Sequence, residues 1–351
     1  MHIKIKNWRC IEEIEFDLSR INIFLGQNAT GKSSLAYAIY LLSKSPKLGV
    51  EKTLNMLYGL DAKSIVRTEN GNFCYPVEIT AENISIKIEE GQLETDETEK
   101  KFTVSPATNN SLWNDEFLLP SRRVAYFQAL RFLPKLAEEI QKKPDSKMMI
   151  PFIVGFLKPI IEELPLFPPA QVFFSDLNRA LTGYKIEPIK GSMKSLGDYI
   201  VEVSPIMSLY TFTLHDPFTE YELPAEIAPD GQTDQMLIDL ILEKSQENSL
   251  IVIEEPEIYK NPVFQFEMME KISKLAINKN LTIVITSHSE IIPLSLAKLV
   301  ETGNVSKTDI NIYYLVRSKK DPWTKIKKIE VYEDGTLEEL PDSEKVTAQL
   351  F

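Results

Sequence analysis

The stretch Gly26-Gln27-Asn28-Ala29-Thr30-Gly31-Lys32-Ser33 carries the residue types that hold a polyphosphate. Glycines near both ends let the backbone curl so that successive N–H groups point at one anion, and a helix starting there adds its partial positive charge. Lys32 is placed to reach β- and γ-phosphates, and the Ser33 hydroxyl is a ligand type for Mg²⁺. The apolar run Ile21–Leu25 precedes the loop and the helical pattern Ser34–Leu42 follows it, the strand–loop–helix order such a site requires. A Gly-Lys-Ser falling by chance in a turn would have no need of that context. Gly26, Asn28, Ala29, Thr30, Gly31, Lys32, Ser33 and Ser34 are therefore the candidate set for a nucleoside triphosphate.

Two further runs end in groups with chemistry. Leu250–Ile253 leads into Glu254, Glu255, Pro256 and Glu257, and a buried strand of an α/β sheet delivers its functional groups at its C-terminal edge. Adjacent carboxylates on an extended chain point to opposite sides. Glu254 is expected to face the Mg²⁺ held by Ser33, and Glu255 to polarise a water. Leu281–Ile285 leads into Thr286-Ser287-His288-Ser289, where His288, one of three histidines, is expected to hydrogen-bond the γ-phosphate. The competing readings are an acidic turn and a structural histidine. Ala228-Pro229-Asp230-Gly231-Gln232 sits just before a helical pattern. Since the chain has its own phosphate loop, Gly231 and Gln232 are expected to cap the nucleotide of a second subunit, with an ordinary N-cap as the alternative.

These groups need a scaffold. The 351 residues are 43% hydrophobic and 26% charged, enough for a buried core in one large or two moderate domains. Alternation in residues 3–18 predicts two strands, and alternating runs at 77–80 and 84–88, with Asn70-Gly71-Asn72 as a turn, predict an antiparallel layer after the loop helix. Pro46 and Gly49 are expected to end that helix. Arg122–Phe127 reads as a strand. Residues 131–182 look helical, but seven prolines between Pro134 and Pro169 require the helices to be short. Strand patterns return at 184–223. From Thr233 helix and strand alternate (236–242, 250–253, 263–276, 281–285, 291–299), implying a parallel sheet with helices on both faces, and a hairpin of Ile310–Val316 with Lys328–Tyr332 closes the pattern. The expected division is 1–130 for the first part of a nucleotide-binding head, 131–183 for a helical lobe and 184–351 for the rest. The fold class is α/β: a P-loop NTPase with a parallel core sheet, an antiparallel β layer and a small helical lobe.

A formal net charge of −12 speaks against a wholly basic nucleic-acid binder. The basic pairs Lys100-Lys101, Arg122-Arg123, Lys142-Lys143, Lys319-Lys320 and the run 325–328 read as solvated surface unless they converge, and the acidic run 94–99 as a solvated turn. Two cysteines, Cys10 and Cys74, give no disulfide framework. No signal-peptide core and no apolar stretch long enough to span a bilayer is seen, so a cytoplasmic protein without a membrane partner is expected.

Together these motifs resemble the ATP-binding-cassette superfamily, and within it the soluble branch related to RecF and SMC proteins: the AAA family ATPases with an ABC-type head, similar to OLD proteins without their Toprim nuclease. Gly26–Ser33 matches the family's Walker A motif, Leu250–Glu255 resembles Walker B with its catalytic glutamate, and Glu257–Pro262 resembles the continuation Glu-x-x-Leu-His-Pro. His288 matches the switch histidine. Ile5-Lys6-Asn7-Trp8-Arg9 and Tyr126–Arg131 resemble two further family stretches, and Gln128 is the candidate for the Q-loop. The resemblance implies ATP and Mg²⁺ as ligands, hydrolysis by Glu255 and His288, and a head-to-tail homodimer with ATP at the interface. It covers roughly 1–45 and 225–320. Glu254 stands where the family has aspartate, and Pro229 where the signature has a serine that touches the partner's γ-phosphate. No long heptad run joins the halves, and only about 60 residues follow His288, too few for a Toprim domain. DNA or a protein effector then remains as the target, in repair or phage defence. The alternatives are a nucleotide-binding scaffold with little hydrolysis, and a P-loop kinase. A GTPase is disfavoured because Asn278-Lys279 is followed by Asn280-Leu281 rather than by a base-reading aspartate.

Overall fold

The computed structural model describes residues 1–59, 62–82, 84–90, 103–105, 111–128, 168–181, 188–189, 199–203, 210–215, 221–224 and 228–341. The acidic run 94–99, the pairs Lys100-Lys101 and Lys142-Lys143, and most of the expected helical lobe lie outside these residues.

The chain opens with β1 (His2–Trp8), β2 (Ile11–Asp17) and β3 (Ile21–Gly26), then α1 (Lys32–Leu48) and α2 (Val50–Tyr58). A small hairpin, β4 (Thr68–Glu69) and β5 (Asn72–Phe73), turns at Asn70-Gly71. β6 (Val77–Ala81), β7 (Ile84–Ile88) and β8 (Thr103–Ser105) follow, and with β1 and β2 make an antiparallel sheet of order β2-β1-β6-β7-β8. This is the expected antiparallel layer.

β9 (Glu116–Leu119) precedes a helical stretch at 123–128 (α3), and α4 (Ala170–Leu181) follows. β10 (Pro188–Ile189), β11 (Tyr199–Val203), β12 (Tyr210–His215) and β13 (Glu222–Pro224) form a second antiparallel sheet. The remainder is α5 (Asp230–Lys244), β14 (Leu250–Glu254), α6 (Pro262–Asn278), β15 (Thr282–Ser287), α7 (Ile291–Glu301), β16 (Ile310–Val316) and β17 (Lys325–Ile329). The core sheet has the order β17-β16-β3-β15-β14-β9 and is parallel except for β17.

Its central strands are largely apolar because both faces are covered. Ile251 and Ile253 join the core beneath α5 and α6, while Leu250 and Val252 join the core beneath α1 and the antiparallel layer. α4 packs on this body through Phe173 and Leu177. At the junction of the two sheets, Phe24 stacks on Tyr313 (5.5 Å) and Phe16 meets Phe24 edge-on (5.4 Å).

Four expectations change. Arg122–Phe127 is helical from residue 123: Arg123, Val124 and Phe127 are buried while Ala125 is exposed, a helical face that overrides the β propensity of the run. Pro46 does not end α1, since it lies in the last turn, and the break falls at Gly49 (φ 90°). The closing strand begins at Lys325, three residues early, where pairing with Val316 sets it. β9 has no counterpart among the expected strands, being four residues long and held by β14 alone.

Replacing Phe24 by alanine should cost about 3–5 kcal/mol in urea denaturation, the range for a large buried aromatic. A loss below 1 kcal/mol would show that the two sheets are not joined through this cluster.

Candidate nucleotide site

β3, β15 and β14 are parallel neighbours, with Leu25 opposite Ser287 and Glu254 opposite Thr286. Their C-terminal ends therefore meet, and each delivers a predicted group to one place. Gly26 closes β3 at φ 142°, and a Cβ there would lie 2.4 Å from the Leu315 carbonyl oxygen, so only glycine fits. Lys32 is buried, and its Nζ donates to Gly26 O (2.8 Å) and Gln27 O (2.9 Å) and lies 3.5 Å from Nδ1 of His288. Burial pulls its pKa down to about 8, against the opposing pull of Glu255, Glu257 and Glu254.

Glu254 is 3% exposed, and its carboxylate accepts from Tyr37 Oη (2.7 Å) and from the Ser33 hydroxyl. Desolvation raises the Glu254 pKa, with Ser33 and Tyr37 opposing. Glu255 does not continue the extended chain. It turns at φ 47°, held by its N–H to Thr286 O (2.8 Å), and that turn sends its carboxylate to His288, Oε1 to Nε2 3.4 Å. The divergence of the two carboxylates was expected, but its cause is a left-handed residue rather than strand alternation. The His288 N–H donates to Glu257 Oε1 (2.7 Å).

A cavity of about 510 Å³ joins Asn28, Ala29, Thr30, Gly31, Lys32, Ser33 and Ser34 with Glu255 and His288. That is the size of a small-ligand site. Gly231 and Gln232 are not part of it. They lie half-buried in the first turn of α5, where a Cβ on Gly231 would meet Tyr259 O at 2.6 Å. Gln128 Nε2 donates to Asp230 Oδ1 (3.0 Å), in that same turn, rather than reaching the cavity.

Ser33 and Glu254 are the two protein groups that fit Mg²⁺. Among the described residues no cluster of three His, Cys, Asp or Glu exists to cage a metal. Two oxygen ligands suit Mg²⁺, which keeps waters and substrate phosphate oxygens in its shell.

Four contributors escaped sequence reasoning. Tyr37 lies one helical turn beyond Ser33, a spacing that was readable. Arg123 is wholly buried: Nη1 donates to Glu254 O (2.6 Å) and Pro120 O (3.1 Å), while Nη2 reaches Asp234 Oδ2 (2.8 Å) on α5. Lys260 also bonds Asp234 and, with its pKa lowered chiefly by burial, donates to Pro256 O (2.9 Å). The segment between β16 and β17 clamps the phosphate loop through Arg317 Nη1 to Ala29 O (2.8 Å) and Thr324 Oγ1 to Thr30 O (2.9 Å).

Residues 1–165 match the model of the AAA ATPase domain family. No curated protein matches the chain. The SMC head domain from Pyrococcus furiosus, solved with an extended coiled coil and bound to the C-terminal domain of ScpA, aligns with a TM-score of 0.52 at 10% identity over 99% of this chain and 98% of that one. An SMC head bound to the C-terminal winged-helix domain of ScpA aligns with a TM-score of 0.54 at 10% identity, over 94% of this chain and 98% of that one. The fold is that of an ABC-type ATPase head. The family match takes in the phosphate loop and lies upstream of β14 and β15, so the head-like likeness over the second half rests on the fold.

Of the basic groups, Arg123 is interior, and Lys325, Lys327 and Lys328 pair with Asp321, Glu338 and Glu330. Among the described residues no helix is long and apolar enough to cross a membrane.

Asp234→Ala strands two buried cations and should destabilise the protein by about 3–5 kcal/mol. Adding Lys260→Met should recover part of that loss in denaturant melts. Equal stability of parent and Asp234→Ala would mean the ion cluster carries no structural weight.

Proposed function

We propose that this chain binds and hydrolyses ATP with Mg²⁺ and works as a switch that pairs with a second copy when ATP is bound. The convergence of Lys32, Ser33, Glu254, Glu255 and His288 at one sheet edge carries this reading, and the Glu255–His288 contact is its most specific part. Phosphoryl transfer to water needs charge neutralisation and a positioned nucleophile more than covalent chemistry. Lys32 meets the phosphates with a charge held on a buried stem. Ser33 and Glu254 would hold Mg²⁺, which when bound offsets phosphate charge. The Glu255 carboxylate takes the proton of the attacking water as the new P–O bond forms and the β–γ bridging bond breaks. His288 holds that carboxylate in place and presents its ring beside Lys32.

The first turn of α5 supports the pairing. Gly231 and Gln232 sit outside this chain's own cavity and are assigned to the nucleotide of the second copy. Pro229, at the N-cap, has no side-chain hydroxyl for that phosphate. It is the specific feature that favours the second reading, a scaffold that binds ATP and turns over slowly while controlling a protein effector. Steady-state ATPase assays separate the two. Stimulation by DNA ends, single strands or circular duplex would assign nucleic acid as the effector, as in repair or phage defence, and unchanged turnover would assign a protein.

Glu255→Gln should lower turnover by about 10²-fold or more, as loss of a general base does, with ATP still bound. In gel filtration with ATP the variant should run as a dimer; a persistent monomer at saturating ATP would sink the switch.

The buried Lys32 adds a pH signature. Free Lys32 loses its charge above pH about 8, and a bound triphosphate restores it, so binding takes up a proton there. Calorimetry in two buffers at pH 9 should show net proton uptake on binding, and affinity should be weaker there than at pH 7. Affinity that does not change between the two would refute this role.

A further inference from the structure

The cavity has an end remote from catalysis. Beyond the phosphate loop its wall is built by Arg9 and Cys10 between β1 and β2, by Ser64, Val66 and Thr68, and by Trp323. Trp323 is half-buried in an otherwise polar segment, Arg317-Ser318-Lys319-Lys320-Asp321-Pro322-Trp323-Thr324. The ring meets one partner within the chain, the Arg67 guanidinium, and also borders the cavity.

Its position is fixed from both sides. Next door, the Thr324 N–H donates to Cys10 O (2.9 Å) and its hydroxyl to Thr30 O. Arg317 Nε donates to Pro322 O (2.7 Å) while its Nη1 reaches Ala29 O, so the residues around the indole are tied to the phosphate loop. Over the ring lies the Arg67 guanidinium, 4.6 Å from the centroid. Arg67 is itself buried, with Nε on Asn7 Oδ1 (3.1 Å) and Nη1 on Glu69 (2.8 Å). The behaviour expected of a surface tryptophan, free rotation about its side chain, is removed. One face is covered by a held cation, and the ring borders the cavity that also contains the phosphate-binding residues.

Resting on the nucleotide-site reading above, we propose that Trp323, contributed by the β16–β17 segment, is the platform on which the nucleobase stacks, and that it sets the preference for a purine over a pyrimidine triphosphate. A flat, immobilised indole gains from stacking without having to be ordered on binding, and a larger base overlaps it more. The loop contacts make base and phosphate recognition one unit, because the segment that carries the indole also holds the carbonyls of Ala29 and Thr30.

Intrinsic fluorescence tests this directly. The chain has three tryptophans; Trp113 is wholly buried away from the cavity, whereas buried Trp8 donates its Nε1 to Ser34 O (2.7 Å) on the loop helix, so the share of an ATP-induced change that Trp323→Phe removes is the share that reports Trp323. ATP should quench the emission of the parent and inorganic triphosphate should not. Trp323→Ala should weaken ATP about 10–100-fold, leave inorganic triphosphate within twofold, and erase the ATP-over-CTP preference. Trp323→Phe should keep most of the affinity and lose most of the quench, which guards against a folding defect in the alanine variant. ATP affinity within twofold of the parent in Trp323→Ala, or a quench undiminished in Trp323→Phe, overturns the proposal. So does equal weakening of ATP and triphosphate, which would make the indole a brace for the loop only. Failure of the parent to bind either ATP or triphosphate would instead overturn the nucleotide-site reading, and this one with it.

Discussion

Everything in the site depends on the register of three parallel strands. β3, β15 and β14 have both faces buried, so hydrophobic pattern alone leaves their pairing free to slip. A one-residue slip would turn Glu254 away from Ser33 and His288 away from Glu255. A polar residue in the apolar interior removes that freedom. Asn22 is wholly buried in β3, its Nδ2 donating to Ile283 O on β15 (3.0 Å) and to Ser19 O (2.8 Å), and its Oδ1 accepting from the Ser19 N–H (2.8 Å). At the far side Trp113 Nε1 donates to Thr282 Oγ1 (2.9 Å), just before β9 pairs with β14. A buried polar group left unpaired costs more than its bond contributes, so any slipped register is disfavoured twice over.

The second constraint runs from the sheet edge to α5. Arg123 links the main-chain carbonyl of Glu254 to Asp234, and Asp234 holds Lys260 from the segment after β14. One turn away from Asp234 lies Asp230, which accepts from Gln128 on the same short helix as Arg123. The end of β14 and the first turn of α5 are thus two ends of one rigid linkage. A displacement at Glu254 cannot be absorbed in soft side-chain packing, because the charges between them are dehydrated and mutually paired.

What was legible in the sequence is what the chain states locally. The strand, loop and helix around Gly26–Ser33 are contiguous, and the runs ending at Glu254 and Ser287 are long, apolar and bounded, so their pairing into a parallel sheet could be inferred. What escaped was set by distant partners. β9 exists because β14 offers an edge. Val124-Ala125-Tyr126-Phe127 reads as strand until Arg123 is seen to need Glu254 and Asp234 on one side. The clamp of Arg317 and Thr324 lies some 290 residues from the loop it holds, and no local pattern announces it.

Backbone strain shows why such remote pieces belong to the site. Arg9 (φ 51°), Ala29 (63°), Glu255 (47°) and Tyr259 (64°) all take the left-handed conformation without being glycine. Each costs on the order of 1 kcal/mol, so each persists only where neighbours fix it. The Arg9 N–H is taken by Ile65 O (2.6 Å), Ala29 O by Arg317, and the Glu255 N–H by Thr286 O. The Tyr259 carbonyl lies against Gly231, the residue whose missing Cβ makes room for it. Three of the four border the cavity, and the fourth touches the turn assigned to the second copy. Of the nine non-glycine residues at positive φ among the described residues, Arg9, Ala29 and Glu255 thus brace the cavity wall, and the segments that hold them lie far apart in sequence.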